Sequence, residues 1–193
     1  MLGLKLETDP RWVNVAEMNI GEILVDHAWC EQKAATSCIS MIIHHFDRKK
    51  LVKVLSPVVK EEWAHFDMVL AELEKRGYEL GKPRKDNYVI KLNELKIKGG
   101  SKEHRLIDDL LINALIEARS CERFRILSEN IADEDLKKFY HKLMISEAGH
   151  YVNFVDLAKE YMDEKYVKAR LEEFLIKEAE IIRNLEIRGD RVH

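Results

Sequence analysis

The chain has 193 residues, of which 46% are hydrophobic and 35% are charged, and its formal net charge is -3 at pH 7. This length is enough to bury one good core and favours a single domain over 1–193. Its apolar runs are far shorter than the roughly 20 residues that cross a bilayer, and its N-terminus lacks a signal-peptide core, so we expect a cytoplasmic protein with no membrane segment. The net charge predicts no general affinity for polyanions, so any nucleic-acid contact must come from a local patch.

The composition favours helices over strands, because the chain has only eight glycines and three prolines. We therefore predict an all-α fold. Apolar residues at helical spacing predict a first helix over about 12–46 and a second over about 49–76. The short link between them, near Asp47 and Arg48, forces the two helices to run antiparallel.

The second half of the chain repeats this helical hairpin. Helices are predicted over about 102–130 and 133–161, with Asp133 as the N-cap of the later one. The glycine-punctuated segment 77–101 is too irregular for another full-length helix, and we interpret it as a crossover. An outer helix is predicted over about 165–188. The predicted fold is a four-helix bundle with one long crossover between helices two and three and an extra C-terminal helix.

The most informative pattern is a pair of Glu-x-x-His sequences, each preceded by a lone glutamate. The separation between the lone glutamate and the pair is 31 residues in the first half and 30 in the second. Residues three apart lie on one face of a helix, so each pair can direct a carboxylate and an imidazole at one point. The repeat predicts a dinuclear metal site that acts through six ligands: Glu31, Glu62, His65, Glu117, Glu147 and His150.

The predicted ligands lie within apolar stripes, which argues against solvated surface charges. Burying an unpaired carboxylate costs several kcal/mol, so four carboxylates that converge on one core require cations. Two divalent ions would neutralise four carboxylates. Oxygen and imidazole ligands without a thiolate suit iron or manganese better than structural zinc, although the affinity order alone does not choose between them.

Glu122 is a second candidate ligand on the third helix. Glu117 and Glu147 lie about equally far from the intervening turn and so meet at one height, whereas Glu122 is roughly 7.5 Å nearer the turn. We therefore predict Glu117 as the ligand and interpret Glu122 as a surface ion pair, with a role beside the metals or the substrate as the alternative. His27, one turn from Glu31, is interpreted as a satisfied core histidine, with a role as a partner of that carboxylate as the alternative.

The ligand pattern resembles that of the ferritin-like di-iron carboxylate proteins. Segments 26–35, 61–66 and 117–124 are also similar to the bacterial tRNA hydroxylases, which act on 2-methylthio-N6-isopentenyladenosine beside the anticodon. This resemblance implies a di-iron monooxygenase that hydroxylates the isopentenyl group. It also implies two iron ions, molecular oxygen as co-substrate and an external electron donor, supplied by an unidentified reductase or electron-transfer protein.

A tRNA substrate requires a basic surface, and segment 78–102 carries seven Lys and Arg residues against three acidic ones. We select Lys82, Arg84 and Lys85 as candidate tRNA contacts. The run Arg48, Lys49 and Lys50 at the first turn is a weaker candidate. For both, a solvated loop is an equal alternative.

Other functions stay open for a ferritin-like chain of this kind. The enzymatic alternatives are a ferroxidase, a peroxide-reducing protein and a manganese catalase, although the C-x-x-C iron module of a rubrerythrin is missing. A non-catalytic, metal-stabilised RNA-binding protein is the alternative from another class. We expect a monomer or a small homo-oligomer.

Overall fold

The computed structural model describes residues 2–193, and over this range it consists of seven α-helices without a β-strand. The helices are α1 (Arg11–Met18), α2 (Ile20–His44), α3 (Lys49–Lys75), α4 (Asn87–Glu94), α5 (Lys102–Asn130), α6 (Glu134–Tyr161) and α7 (Glu164–Asn184).

The chain divides into two compact units. The α2–α3 unit contains Asn14–Lys85 and Arg188–Val192. The α5–α6 unit contains the described residues up to Val13, together with Asp86–Ile187 and His193. The prediction of one domain over 1–193 stays a prediction.

The first predicted helix is interrupted at Asn19. The Asn19 side chain donates a hydrogen bond to the Val15 carbonyl at 2.8 Å, and its backbone N–H bonds Ala16 in a tighter turn. Asparagine competes in this way with the helical backbone, so α1 ends and α2 begins here. Gly189 packs against this break, because a Cβ at this position would lie 2.5 Å from the Val15 carbonyl oxygen.

The α2–α3 unit is a helical hairpin. The chain turns between His44 and Lys49, and the His45 backbone N–H bonds the Met41 carbonyl as α2 ends. The core of the hairpin is apolar and includes Ile23, Leu24, Leu51, Leu55 and Val69. Segment 188–192 is attached to α2 through Asp26, whose carboxylate accepts a hydrogen bond from the Val192 N–H at 2.9 Å.

The α5–α6 unit is the second hairpin, and its helix starts are capped by side chains. Asp133 accepts hydrogen bonds from the N–H groups of Asp135 and Leu136, as the sequence predicts for an N-cap. Ser101 caps α5 through the His104 N–H at 3.2 Å.

The predicted crossover contains the short helix α4. Asp86 caps this helix by accepting a hydrogen bond from the Val89 N–H at 3.0 Å. Tyr88 and Leu92 are buried, and the Tyr88 hydroxyl donates to Glu178 of α7 at 3.1 Å. One capping residue and two buried side chains thus stabilise α4, although its eight residues show no extended helical periodicity in the sequence.

The three cysteines, Cys30, Cys38 and Cys121, are free thiols. Burial raises the pKa of Cys121 to about 11, and its Sγ lies 3.2 Å from the Met144 carbonyl oxygen. Among the described residues, no helix is both long and apolar enough to span a membrane.

Candidate metal centre

In the α2–α3 unit, the buried Glu31, Glu62 and His65 form one cluster. Each offers one ligand atom, and these atoms lie within 4.8 Å of one another. His65 Nδ1 is 3.5 Å from Glu31 Oε2 and 3.7 Å from Glu62 Oε2. The three-residue spacing of Glu62 and His65 on α3 places both side chains on the face that packs against α2.

His27 is bonded to the predicted ligand Glu31, which the sequence interpretation gave only as its alternative. It is fully buried, and its Nε2 lies 2.6 Å from Glu31 Oε1 on the same helix. Burial by itself would raise the pKa of Glu31, but the hydrogen bonds from His27 and His65 outweigh burial and hold the pKa well below its usual value. The signal in the sequence was the four-residue spacing, which places one side chain over the other on a helix.

In the α5–α6 unit, the buried Glu117, Glu147 and His150 form a second cluster of the same composition. Their ligand atoms also lie within 4.8 Å of one another. His150 Nδ1 is 3.6 Å from Glu147 Oε2. Glu117 lies on α5 and the other two on α6, so each cluster takes a lone glutamate from one helix and a Glu-x-x-His pair from the next.

Both clusters fit a divalent cation. Two carboxylates held within 4.8 Å of one another in a buried environment repel, and a divalent ion removes that cost. The donor atoms are carboxylate oxygens and imidazole nitrogens, which suit iron and manganese. All six side chains belong to residues that are at most 7% exposed, so a bound ion would be shielded from bulk water.

Glu122 does not lie at the surface, and this part of the sequence interpretation is wrong. The residue is only 2% exposed. Its carboxylate is paired with Arg119 and accepts hydrogen bonds from the Thr8 N–H at 2.8 Å and the Thr8 hydroxyl at 2.6 Å. The prediction of an ion pair is correct, but both members of the pair, Arg119 and Glu122, are buried.

The candidate tRNA contacts differ in their surroundings. Lys82 and Lys85 are exposed. The Arg84 guanidinium is paired with Glu22 and lies 3.9 Å from Asp190, and the Arg84 carbonyl accepts a hydrogen bond from Lys33. Arg84 therefore has structural partners in its own unit, and its role in binding tRNA stays a prediction.

The helices and the two carboxylate–imidazole clusters together define a ferritin-like protein with a candidate metal centre. A solved structure described as protein 43 with aldehyde deformylating oxygenase activity, from Synechococcus, matches with a TM-score of 0.92 and 32% sequence identity. The match covers 98% of this chain and 94% of that one. Because that oxygenase is ferritin-like, the predicted all-α, ferritin-like fold class is confirmed.

The sequence model of the tRNA-(MS[2]IO[6]A)-hydroxylase (MiaE) family matches residues 2–193. A Pseudomonas putida protein named tRNA 2-(methylsulfanyl)-N(6)-isopentenyladenosine(37) hydroxylase is 34% identical over 177 residues, which cover 92% of this chain and 85% of that protein. The Salmonella typhimurium protein of the same name is 36% identical over 69% of this chain and 48% of its own length. The chain therefore belongs to this hydroxylase family and is an oxidoreductase, as the resemblance implied.

Proposed function

We propose that this protein is a non-haem di-iron monooxygenase that uses O₂ to hydroxylate the isopentenyl group of 2-methylthio-N6-isopentenyladenosine in tRNA, next to the anticodon. The observation that carries the proposal is the family match over residues 2–193. The names of the two curated relatives support the substrate. The oxygenase activity in the name of the Synechococcus protein supports the use of O₂.

The two clusters are proposed to hold a pair of iron ions. Each cluster supplies two carboxylates and one imidazole, and four carboxylates balance the charge of two divalent ions. Iron, when bound, supplies the redox chemistry needed to activate O₂ for insertion into a C–H bond.

The side chains of this chain have three tasks in that reaction. The carboxylates and imidazoles hold the ions, the apolar surroundings exclude water, and the hydrogen bond from His27 fixes the orientation of Glu31. A modified adenosine in an anticodon loop is accessible to such a site because single-stranded bases can be turned out of their stack. Cytoplasmic location, the electron donor and the oligomeric state remain parts of the proposal.

The test is hydroxylation of tRNA by purified protein. The protein is loaded anaerobically with Fe(II), and reductant, air and tRNA from cells lacking this protein are then added. Mass spectrometry of the digested tRNA should detect the nucleoside with one added oxygen, and ¹⁸O₂ should label it whereas H₂¹⁸O should not. If iron-loaded protein leaves the nucleoside unchanged in the presence of reductant, the proposed function is wrong.

The Synechococcus structure favours one alternative, an oxygenase that acts on an aldehyde. That protein is 32% identical to this chain, close to the 34% of the Pseudomonas relative, so identity alone does not separate the two activities. Incubation of the iron-loaded protein with a fatty aldehyde, reductant and O₂ tests the alternative directly. Formate released at a rate above that of tRNA hydroxylation would favour the aldehyde activity.

A further inference from the structure

The turn between α2 and α3 exposes an aromatic side chain. Phe46 is 78% exposed, the highest value for a large hydrophobic residue in the described part of the chain. Ile39 and Ile43, at the end of α2, are also exposed. Three exposed large apolar side chains thus lie within eight residues of sequence, which makes this end of the hairpin a candidate binding surface.

Directly after Asp47, the same turn begins a run of cationic residues. Segment 48–60 contains five Lys and Arg residues and no Asp or Glu. Lys49, Lys50, Lys53 and Lys60 are all exposed. The acidic residues of α3 all lie at or beyond Glu61, near the middle of the helix.

This distribution of charge is unfavourable for the N-terminus of α3. α3 has no acidic residue in its first turn, and its N-cap, Arg48, forms no side-chain capping hydrogen bond. Cations near the N-terminus of a helix are unfavourable because the helix dipole is positive there. Among residues 2–193, neither Lys49 nor Lys53 has an ion-pair partner that would relieve this repulsion. The lysines therefore cost stability where they are, and an anionic partner would remove that cost.

We propose that the turn patch, defined by Phe46, Lys49, Lys50 and Lys53, is the docking surface for the anticodon loop of the tRNA substrate. This inference rests on the proposed function. The lysines contact phosphates, and Phe46 stacks on an unpaired base. Aromatic side chains bind single-stranded RNA in this manner, and adjacent cations hold its backbone.

The turn patch fits RNA better than the crossover does. In the crossover, Arg84 is already paired with Glu22, and Lys82 and Lys85 lie between Glu79 and Asp86. Lys96 is paired with Asp109 at 2.6 Å. The turn patch places Lys49 and Lys53 beside a ring that is 78% exposed, whereas the exposed ring of the crossover, Tyr78, is 43% exposed.

An electron-transfer protein is a less suitable occupant. Lys49 is 13 residues from Glu62 on the same helix, or roughly 20 Å along the axis. A donor must bring its redox centre near the metals, whereas an anticodon stem-loop can contact this surface through nucleotides other than the one that reacts. Contacts at the end of the hairpin can therefore position the RNA.

The experiment measures the affinity of metal-loaded protein for a fluorescent anticodon stem-loop RNA at several salt concentrations. The variant Lys49→Glu/Lys53→Glu is compared with Lys82→Glu/Lys85→Glu, which changes the net charge equally. The variant Lys49→Glu/Lys53→Glu should bind at least about tenfold more weakly than the wild type. The slope of its log affinity against log salt concentration should fall in magnitude by about 1.5 to 2. The second should stay within about twofold of the wild type. Unchanged binding by the first variant, or equal loss in both, overturns the proposal.

Phe46 provides an independent test, because its exposure means that its removal leaves the core intact. Phe46→Ala should weaken RNA binding by about fivefold or more at an unchanged salt slope, and Phe46→Trp should restore binding. Equal affinities for all three proteins would contradict stacking at this position.

The turnover rate separates this inference from the proposed function. If the wild type and the turn-patch variants hydroxylate tRNA at equal rates, the proposed function stands and RNA docking at the turn patch is excluded. If the wild type neither binds nor hydroxylates tRNA, the function itself fails. The variants could instead bind RNA normally, keep their activity with a chemical reductant and lose it with a protein electron donor. This result would assign the turn patch to that donor and overturn RNA docking.

Discussion

Glu117 and Glu122 illustrate how two buried carboxylates on one helix acquire different roles. Both are less than 5% exposed, so burial does not distinguish them. Five residues along α5 turn the side-chain direction by about 140°, and this brings different partners to each. Glu117 meets Glu147 and His150, whereas Glu122 meets the Arg119 guanidinium. A metal ion would balance the charge of Glu117 and Glu147, whereas the Arg119 guanidinium already balances that of Glu122.

The first residue-scale prediction compares Glu117→Gln with Glu122→Gln. Elemental analysis after anaerobic loading should find clearly less iron per chain in Glu117→Gln, because a ligand carboxylate is lost. Glu122→Gln should retain the wild-type iron content, since its carboxylate faces a cation already. The reverse pattern would show that the wrong glutamate of α5 has been chosen.

The second residue-scale prediction concerns His27. His27→Ala removes the hydrogen bond to Glu31 and should weaken metal binding by roughly 10- to 100-fold, as is usual when the partner of a ligand is lost. Anaerobic titration with Co(II), followed by absorption, measures this affinity without an activity assay. His44→Ala is the control, because His44 is on the same helix, exposed and bonded only locally to Ser40. Equal affinity in both variants would make His27 a simple core histidine.

At the scale of elements, α5 holds two distant segments through one buried guanidinium. Arg119 is fully buried, donates to Glu178 of α7 at 2.7 Å, and also bonds the Leu6 carbonyl at 3.0 Å. Glu122 completes the network by binding Thr8. The side chain of one residue thus attaches the N-terminal segment and α7 to the same helix, which helix periodicity does not reveal.

The prediction at this scale concerns pH. Burial would raise the pKa of Glu122, but the Arg119 charge and the Thr8 hydrogen bonds outweigh it and lower the pKa. A lowered folded-state pKa adds stability above the ordinary value of 4.5, and this stability is lost as the pH falls through the folded-state pKa. Glu122→Gln should therefore unfold more easily than the wild type by about 2 kcal/mol at pH 7, with a smaller gap below pH 4.5.

Urea unfolding of the metal-free proteins at several pH values measures this gap. Glu129→Gln is the matched control on the same helix, because Glu129 forms an exposed pair with Arg125 and should change stability by less than about 0.5 kcal/mol. A gap for Glu122→Gln that does not vary with pH would contradict the assigned pKa direction.

At the scale of the whole molecule, the proposed metal site would link metal binding to folding. Each unit buries two carboxylates and one imidazole, and a bound ion stabilises only the folded arrangement of these groups. In the metal-free protein, the two carboxylates of each cluster repel one another without a cation between them. Metal content should therefore be visible in the thermal stability of the complete chain.

The prediction is that iron-loaded protein melts about 10–20 °C above metal-free protein. Free Fe(II) at about 100 times its dissociation constant contributes about 2.7 kcal/mol for each of the two ions, and a chain of this size shifts by about 2–4 °C per kcal/mol. Anaerobic scanning calorimetry measures the difference. Mg²⁺ at the same concentration is the control and should shift the melting temperature less, because it binds poorly to imidazole. Identical melting curves with and without iron would contradict a folded-state metal site.

Several features were predictable from sequence because they depend on neighbours along the chain. Helical periodicity predicted the long helices, and Asp133 was recognisable as an N-cap because a cap acts on the next turn. The break at Asn19 was not predicted, since an asparagine inside a long apolar pattern is as compatible with a continuous helix as with a junction. The capped helix α4 was too short to show a period.

By itself, the sequence determined the helical class, the family and the repeated Glu-x-x-His pairs, because spacing along a helix decides which side chains share a face. Only the tertiary structure decided what each buried carboxylate meets. Glu122 is bonded to Thr8, which is 114 residues away, and Asp26 to Val192, which is 166 residues away. No local pattern encodes such partners, since a buried charge is stabilised by whichever distant donor or cation the fold brings to it.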